Sequence, residues 1–255
     1  MKVYPTDLTN NQWSAILKII RDKRKRKYDL RLIFNALFYL LKTGCQWRML
    51  PKCYPDWRLV YYYFRKWKND GTIDLIISII RAKIRKQYRR NEEPSVGIIA
   101  GQSVKTSRFV SSVRGYDGGK KIKGRKRHIV TDTLGLLLTV TVHSADVHDG
   151  KAAESVLTKL KSDFFKIVKI FADGGYRGEL IENMKIKLGY AIEIVLRKDS
   201  NAGFVPLPKT RVVERTFAWF ESYRRLSKNF KYNPDSEEYM IKIAMIKLML
   251  NRIKL

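Results

Sequence analysis

The run Ile167-Val168-Lys169-Ile170-Phe171-Ala172 leads directly into one carboxylate, Asp173, and then a glycine-rich turn, Gly174-Gly175-Tyr176-Arg177-Gly178. Five of its six residues are apolar and several are β-branched, the composition of a buried strand. A carboxylate at the end of a buried strand is costly unless it is paired, solvated or bound to a metal. In an open α/β sheet that position is also where sites are built. The plainer alternative is an Asp that caps the next helix near Glu179.

The residues before Asn91 follow a different rhythm. Thr9 can cap a helix through about Arg21 that carries Trp13, Ile16, Leu17 and Ile20 on one face. Leu30, Ile33, Phe34, Leu37, Phe38 and Leu41 keep helical spacing up to Gly44. Asp56 can cap a third helix from Trp57 to about Asn69, with Trp57, Val60, Tyr61, Phe64 and Trp67 as its core face. Arg58, Tyr62 and Arg65 share another face, which suits a recognition helix in a helix-turn-helix-like unit. Ile73 to Ile84 form a fourth helix.

Past Pro94 the pattern changes to strands: Val96–Ile99, then a basic, turn-rich segment from Gly115 to His128, then a hairpin of 129–133 and 136–142 turning at Leu134-Gly135. Helices over 151–161 and 179–188 flank the Asp173 strand, and 190–196 alternates as another strand. Helices over 211–225 and 235–254 follow, the last with Asp235 and Glu238 placed for a capping box. The expected division is 1–90, all helical; 95–232, built on the strands; and 233–255, a C-terminal helix packing on that second domain.

Charge narrows the function. The chain has 52 Lys+Arg against 24 Asp+Glu, a net +28, and such a field attracts polyanions, nucleic acid foremost. The only cysteines, Cys45 and Cys53, have no His or Cys at zinc-ligand spacing and read as buried thiols of a reducing cytosol. The first residues lack the apolar core of a signal peptide, and no apolar run reaches spanning length, so the expectation is a cytoplasmic protein with no membrane partner.

The chemistry that Asp173 suits is two-metal phosphoryl transfer, which needs carboxylates converging from separate elements on two Mg²⁺ ions about 3.5–4 Å apart. The late-helix partner is best placed at Glu214, which shares a face with Arg211, Ala218 and Glu221, opposite the Val213-Phe217-Phe220 stripe. Glu221 is the fallback.

Motifs in family order then carry a resemblance: Cys45-Gln46-Trp47-Arg48-Met49-Leu50-Pro51, Tyr61-Tyr62-Tyr63-Phe64-Arg65-Lys66-Trp67, Gly124-Arg125-Lys126-Arg127-His128, Ala172-Asp173-Gly174-Gly175-Tyr176 and Val213-Glu214-Arg215-Thr216-Phe217. The chain resembles bacterial insertion-sequence transposases of the DDE class, in the family numbered five. The resemblance implies an α/β fold: an RNase H-like mixed sheet behind an all-helical DNA-binding region. It implies Mg²⁺ or Mn²⁺ held by Asp173 and Glu214, and action on double-stranded DNA, both terminal inverted repeats and target, by a homodimer on DNA.

One departure stands out. A first-strand motif like Ile-Ile-Asp-Ser-Gln-Ser-Val-Lys reads here Ile98-Ile99-Ala100-Gly101-Gln102-Ser103-Val104-Lys105, so Ala100 occupies the place of the first catalytic Asp and has no oxygen to give. Loss of that carboxylate should abolish paired metal binding and nearly all cleavage. A decayed natural copy and a deliberate Asp-to-Ala change both fit, the latter better; Asp132 is the conceivable substitute ligand. The alternative function is a non-catalytic relic that acts only by binding the element ends. Phosphate contacts are expected from Lys105, Lys120, Lys121, Arg125, Lys126, Arg127, His128 and Arg177, and sequence reading from Arg58, Tyr62 and Arg65.

Overall fold

The computed structural model describes residues 4–21, 24–110, 113–178, 180–195 and 210–254. They divide into two compact units: Met1–Glu92 with Phe220–Ser227 and Tyr239–Leu255, and Glu93–Trp219 with Lys228–Glu238.

The first unit is helical. α1 (Asn10–Ile20) begins with a reciprocal cap: the Thr9 side chain accepts from the Gln12 backbone N–H while the Gln12 side chain accepts from the Thr9 N–H. α2 (Leu30–Thr43) is capped by Asp29 and ends on Gly44, whose φ of 75° is open to glycine at little cost. α3 (Trp57–Asn69) starts on Asp56, which accepts from Arg58 N at 2.8 Å. A tight turn at Asp70-Gly71 leads into α4 (Thr72–Gln87).

Aromatic packing organises this core. Phe34 stacks on Trp67 with ring centroids 4.5 Å apart, and Phe64 meets Tyr239 edge-on at 4.9 Å. Tyr239 lies on α9 (Pro234–Leu250), which also receives the Gln12 amide on Leu250 O and pairs Lys242 with Asp74. The contacts of residues 239–255 therefore fall within the helical unit, where the sequence reading had placed 233–255 on the catalytic domain: the apolar α9 residues Ile243, Met245 and Ile246 are fully buried. Helix-turn-helix spacing is also absent between α2 and α3, because residues 44–56 intervene with a 3₁₀ turn at Trp47–Met49, against a turn of roughly three or four residues in such units. Cys53 is exposed and Cys45 half-buried, both free, so neither is the buried thiol expected.

The second unit carries the sheet. β1 (Val96–Lys105), β3 (Ile122–Thr131) and β4 (Leu137–Ser144) are successively antiparallel, while β5 (Lys169–Ala172) and β6 (Ala191–Ile194) run parallel to β1. The spatial order is β4-β3-β1-β5-β6, with the short β2 (Gly115–Asp117) pairing the start of β3 on the edge that β4 takes further along. This is the mixed order of an RNase H-like sheet. One face packs on α5 (Asp149–Asp163) and α6 (Leu180–Leu188): Ile99, Val130, Ile170 and Ala172 meet Val156, Leu157, Leu160 and Met184. Each such large apolar side chain contributes about 1.5–3 kcal/mol on burial.

β1 and β3 are much longer than the apolar signal alone predicted. Their polar ends form strand with the help of cross-strand pairs: the Gln102 Oε1 accepts from Arg127 Nε at 2.8 Å, and Ser103 Oγ donates to Asp117 Oδ2 at 2.5 Å. Gly124 permits the pairing, since a Cβ there would sit 2.0 Å from the Val104 carbonyl oxygen.

The C-terminal helices also differ from expectation. The helix predicted over 211–225 is broken into α7 (Arg211–Glu221) and α8 (Arg224–Ser227) by the buried Tyr223, whose N–H closes a turn on Phe220 O. α9 starts on Pro234, a favoured first-turn residue, and Glu238 spends its carboxylate on Val142 N and Lys159 instead of a capping box. Glu179 and Leu196, expected in a helix and a strand, lie outside the described residues.

Candidate active site

The sheet register puts positions 100 and 173 level. β1 and β5 pair in parallel up to Ile98↔Phe171, and two residues further along each chain stand Ala100 and Asp173. Ile99, Ile170 and Ala172 face α5. Alternation turns Ile98, Ala100 and Phe171 to the opposite face, and Asp173 follows β5 with extended backbone (φ −83°, ψ 179°), its Oδ1 close to Gly175, which Asp149 also approaches.

α7 covers the same face. Its Phe217 ring lies 5.8 Å from the Arg127 guanidinium, which bonds Gln102 of β1. Thr216 Oγ1 donates to Gly135 O at 2.9 Å, and a Cβ at Gly135, whose φ is 81°, would meet Thr216 Oγ1 at 2.9 Å and the Trp219 ring at 3.3 Å. Along α7, Val213, Phe217 and Phe220 are buried while Arg211, Glu214, Ala218 and Glu221 are exposed, so Glu214 faces outward from the helix that sits over the Ala100 side of the sheet.

Asp173 is exposed, and its Oδ1 accepts from Gly175 N at 2.8 Å, so the carboxylate caps the turn after β5. Arg177 folds its guanidinium back over Gly174 in the same turn. Lys120 donates to the Gly101 carbonyl at 3.0 Å, which brings an ammonium next to position 100.

Behind this surface, on the α5 side, lies a buried polar network that the sequence reading missed. His128 Nδ1 and His143 Nε2 are 2.7 Å apart, and His143 Nδ1 is 2.8 Å from Ser144 O. A carbonyl only accepts, so His143 carries its proton on Nδ1 and Nε2 receives the proton of His128 Nδ1. Burial pushes His143 below the usual imidazole range, and the His128 and Lys126 charges push the same way.

Asp149 sits 2.9 Å from Lys126 Nζ and 3.4 Å from His128 Nε2. Burial alone would raise its carboxyl, but those two partners outweigh it and hold the group well below the usual carboxylate range. Tyr176, fully buried, is pushed well above the usual phenol range by desolvation and then by the Asp149 and Asp173 charges.

The network corrects the phosphate-clamp reading of the basic motif. Arg125, Lys126, Arg127 and His128 are 1%, 5%, 2% and 0% exposed. Arg125 donates to the carbonyls of Val113, Lys231 and Tyr232 at 2.9, 2.8 and 2.6 Å; Lys126 serves Asp149 and Val147 O; and Arg127 serves Gln102. All four are enclosed in the fold, with almost no surface open to a ligand in solvent. Lys105, Lys120, Lys121 and Arg177 are exposed. Asp132 is fully buried, accepts from Leu134 N and Leu136 N, and stands just past the end of β3, three residues beyond Ile129, the partner of Ala100, so it supplies nothing to position 100.

Ala100 brings only a methyl to the β1 position level with Asp173, and among the described residues no group of three His, Cys, Asp or Glu side chains gathers in a metal-holding arrangement.

In the helical unit, Arg58, Tyr62, Arg65, Lys66 and Asn69 line a shallow depression of about 610 Å³ along α3. Tyr62 is 55% exposed. Tyr61, expected in the core, is partly exposed, and Tyr63 takes its place, buried and bonded to Arg26. Among the described residues no helix is long and apolar enough to cross a membrane.

Comparison with known proteins agrees with this architecture. Residues 8–77 match a family model for transposases of the IS4/5 family, and residues 91–249 match one for the transposase DDE domain. An uncharacterised protein of Sinorhizobium fredii, y4sN, is 27% identical over 77 residues, which are 29% of this chain and 62% of that protein. With a DDE model spanning most of its length and the sheet order that goes with it, the chain belongs to the DDE transposases of the IS4/5 type.

Proposed function

We propose that the protein is a transposase polypeptide that binds the terminal inverted repeats of its element and, in this chain, does not cut them. Family membership gives DNA transposition as the general function, and DDE domains depend on divalent metal. The observation that carries the narrower reading is Ala100, level with Asp173 and on the sheet face covered by α7. Strand cleavage and transfer need Mg²⁺ or Mn²⁺ held by carboxylates at positions 100, 173 and 214, and one of the three is a methyl group.

Two residues depart from the first-strand motif, since Gly101 stands where that motif has Ser. A pair of adjacent changes favours natural divergence over one deliberate replacement. Gly101 is also accommodated locally: a Cβ there would lie 2.6 Å from His128 Nε2.

In this reading Arg58, Tyr62 and Arg65 on α3 read the repeat, and Lys105, Lys120, Lys121 and Arg177 contact phosphates around the site. Joining two ends requires two copies, so the working form is a homodimer on DNA in the bacterial cytoplasm. The test is a paired assay on an end-containing duplex with Mg²⁺. Binding by both forms and cleavage only by Ala100→Asp is the expected result. Cleavage by the unaltered chain would overturn the placement of the site, and binding without cleavage by either would leave a DNA-binding relic.

A further inference from the structure

Phe109 is 94% exposed at the tip of the loop after β1, flanked by the exposed Arg108. A single exposed ring is ordinary, whereas several on one surface rimmed by polar residues mark an interaction site. Phe230 and Tyr232, 48% and 64% exposed, belong to a segment tied to that loop: Ser107 N donates to Asn229 O and Asn229 N to Lys105 O, both at 2.9 Å. The buried Arg125 holds both sides from beneath through the carbonyls of Val113, Lys231 and Tyr232. The aromatic tips are thus displayed on a braced platform.

Cations are interleaved with the rings. Lys105, Arg108 and Lys228 are exposed, and Lys228 Nζ lies 5.6 Å from the Phe230 ring centroid. Asp117 is turned inward onto Ser103 and Lys120 N, and Asp146, beside Gly115, is bonded to Ser144. A second copy of the chain would bring like charge against like, which disfavours a protein–protein contact here. Cations that track phosphates, with ring faces that stack on bases, are the chemistry of single-stranded nucleic acid. A paired duplex offers no free base face to these rings.

We infer that this platform, Lys105, Arg108, Phe109, Lys228, Phe230 and Tyr232, binds unpaired nucleotides of a DNA strand. It starts five residues beyond Ala100 on β1, about 16 Å along the strand. Unpaired bases at a processed or opened end would therefore be held a few nucleotides from position 100. The inference rests on the DNA-binding reading above.

The test measures the full chain by fluorescence anisotropy on two probes, an oligothymidylate single strand and a paired, end-containing duplex of equal length. Phe109→Ala, with no packing to lose, should weaken single-strand binding by between about 5-fold and 150-fold, with duplex binding changed by less than about twofold; Phe109→Trp should retain it. Arg58→Ala should do the reverse, weakening the duplex only. Equal loss on both probes, or no loss on the single strand, would overturn the platform while leaving end binding intact. Failure of the unaltered chain to bind either probe would overturn both readings.

Discussion

Two basic stretches of this chain look alike in sequence and end in opposite places. Arg58, Arg65 and Lys66 on α3 line an open depression, whereas Arg125, Lys126 and Arg127 on β3 are almost wholly enclosed. The difference is one of period and partners. On α3 the cations share a helical face opposite Val60, Phe64 and Trp67, so the apolar residues alone satisfy the core. On β3 consecutive cations point to alternate sides of a sheet covered on both faces, so each must find a partner inside: backbone carbonyls, Asp149 and Gln102. Net positive charge does not by itself locate a nucleic-acid surface.

That contrast can be broken by mutation, beginning with the most enclosed cation. Arg125→Ala strands three carbonyls and should lower stability by about 3–5 kcal/mol in a denaturant titration. A loss under about 1 kcal/mol would mean that the guanidinium is dispensable to the fold. Gly101→Ser should cost about 1–3 kcal/mol by overpacking against His128, and an unchanged midpoint would show that the imidazole moves aside freely.

Acid sensitivity follows from Asp149. Its carboxyl is held low in the folded state, so its stabilising contribution is full above the unfolded value near 4 and is lost as pH falls through the folded one. Asp149→Asn should flatten that part of the stability–pH curve; identical curves would contradict the pairing with Lys126 and His128.

The smallest stability effect belongs to α3. Arg58→Ala and Arg65→Ala should each leave stability within about 0.5 kcal/mol. They should weaken repeat binding by about 1–3 kcal/mol and relax sequence preference. Selective loss of stability there would put those side chains in the wrong class.

Much of the architecture was legible because apolar periodicity reported it. Thr9, Asp56 and Gly44 mark helix ends where the structure has them, and the Asp173 strand and the Leu134-Gly135 hairpin stand where expected. The polar halves of β1 and β3 were not legible, since their strand character comes from cross-strand pairs such as Gln102 with Arg127 that no single stretch encodes. For the same reason the His128–His143–Asp149 network was invisible: its members come from β3, β4 and the start of α5. The placement of α9 depended on which apolar surface was left open to it, something a one-dimensional pattern cannot express.

The most direct test of the central claim, that Ala100 leaves this site one carboxylate short, is Mn²⁺ binding followed by electron paramagnetic resonance. The unaltered chain, Ala100→Asp and Ala100→Asp/Asp173→Asn would be titrated in parallel. The account predicts spin-coupled pairs of Mn²⁺ only in Ala100→Asp, with the coupling gone once Asp173 is also changed. Coupled Mn²⁺ of equal affinity in the unaltered chain would contradict it.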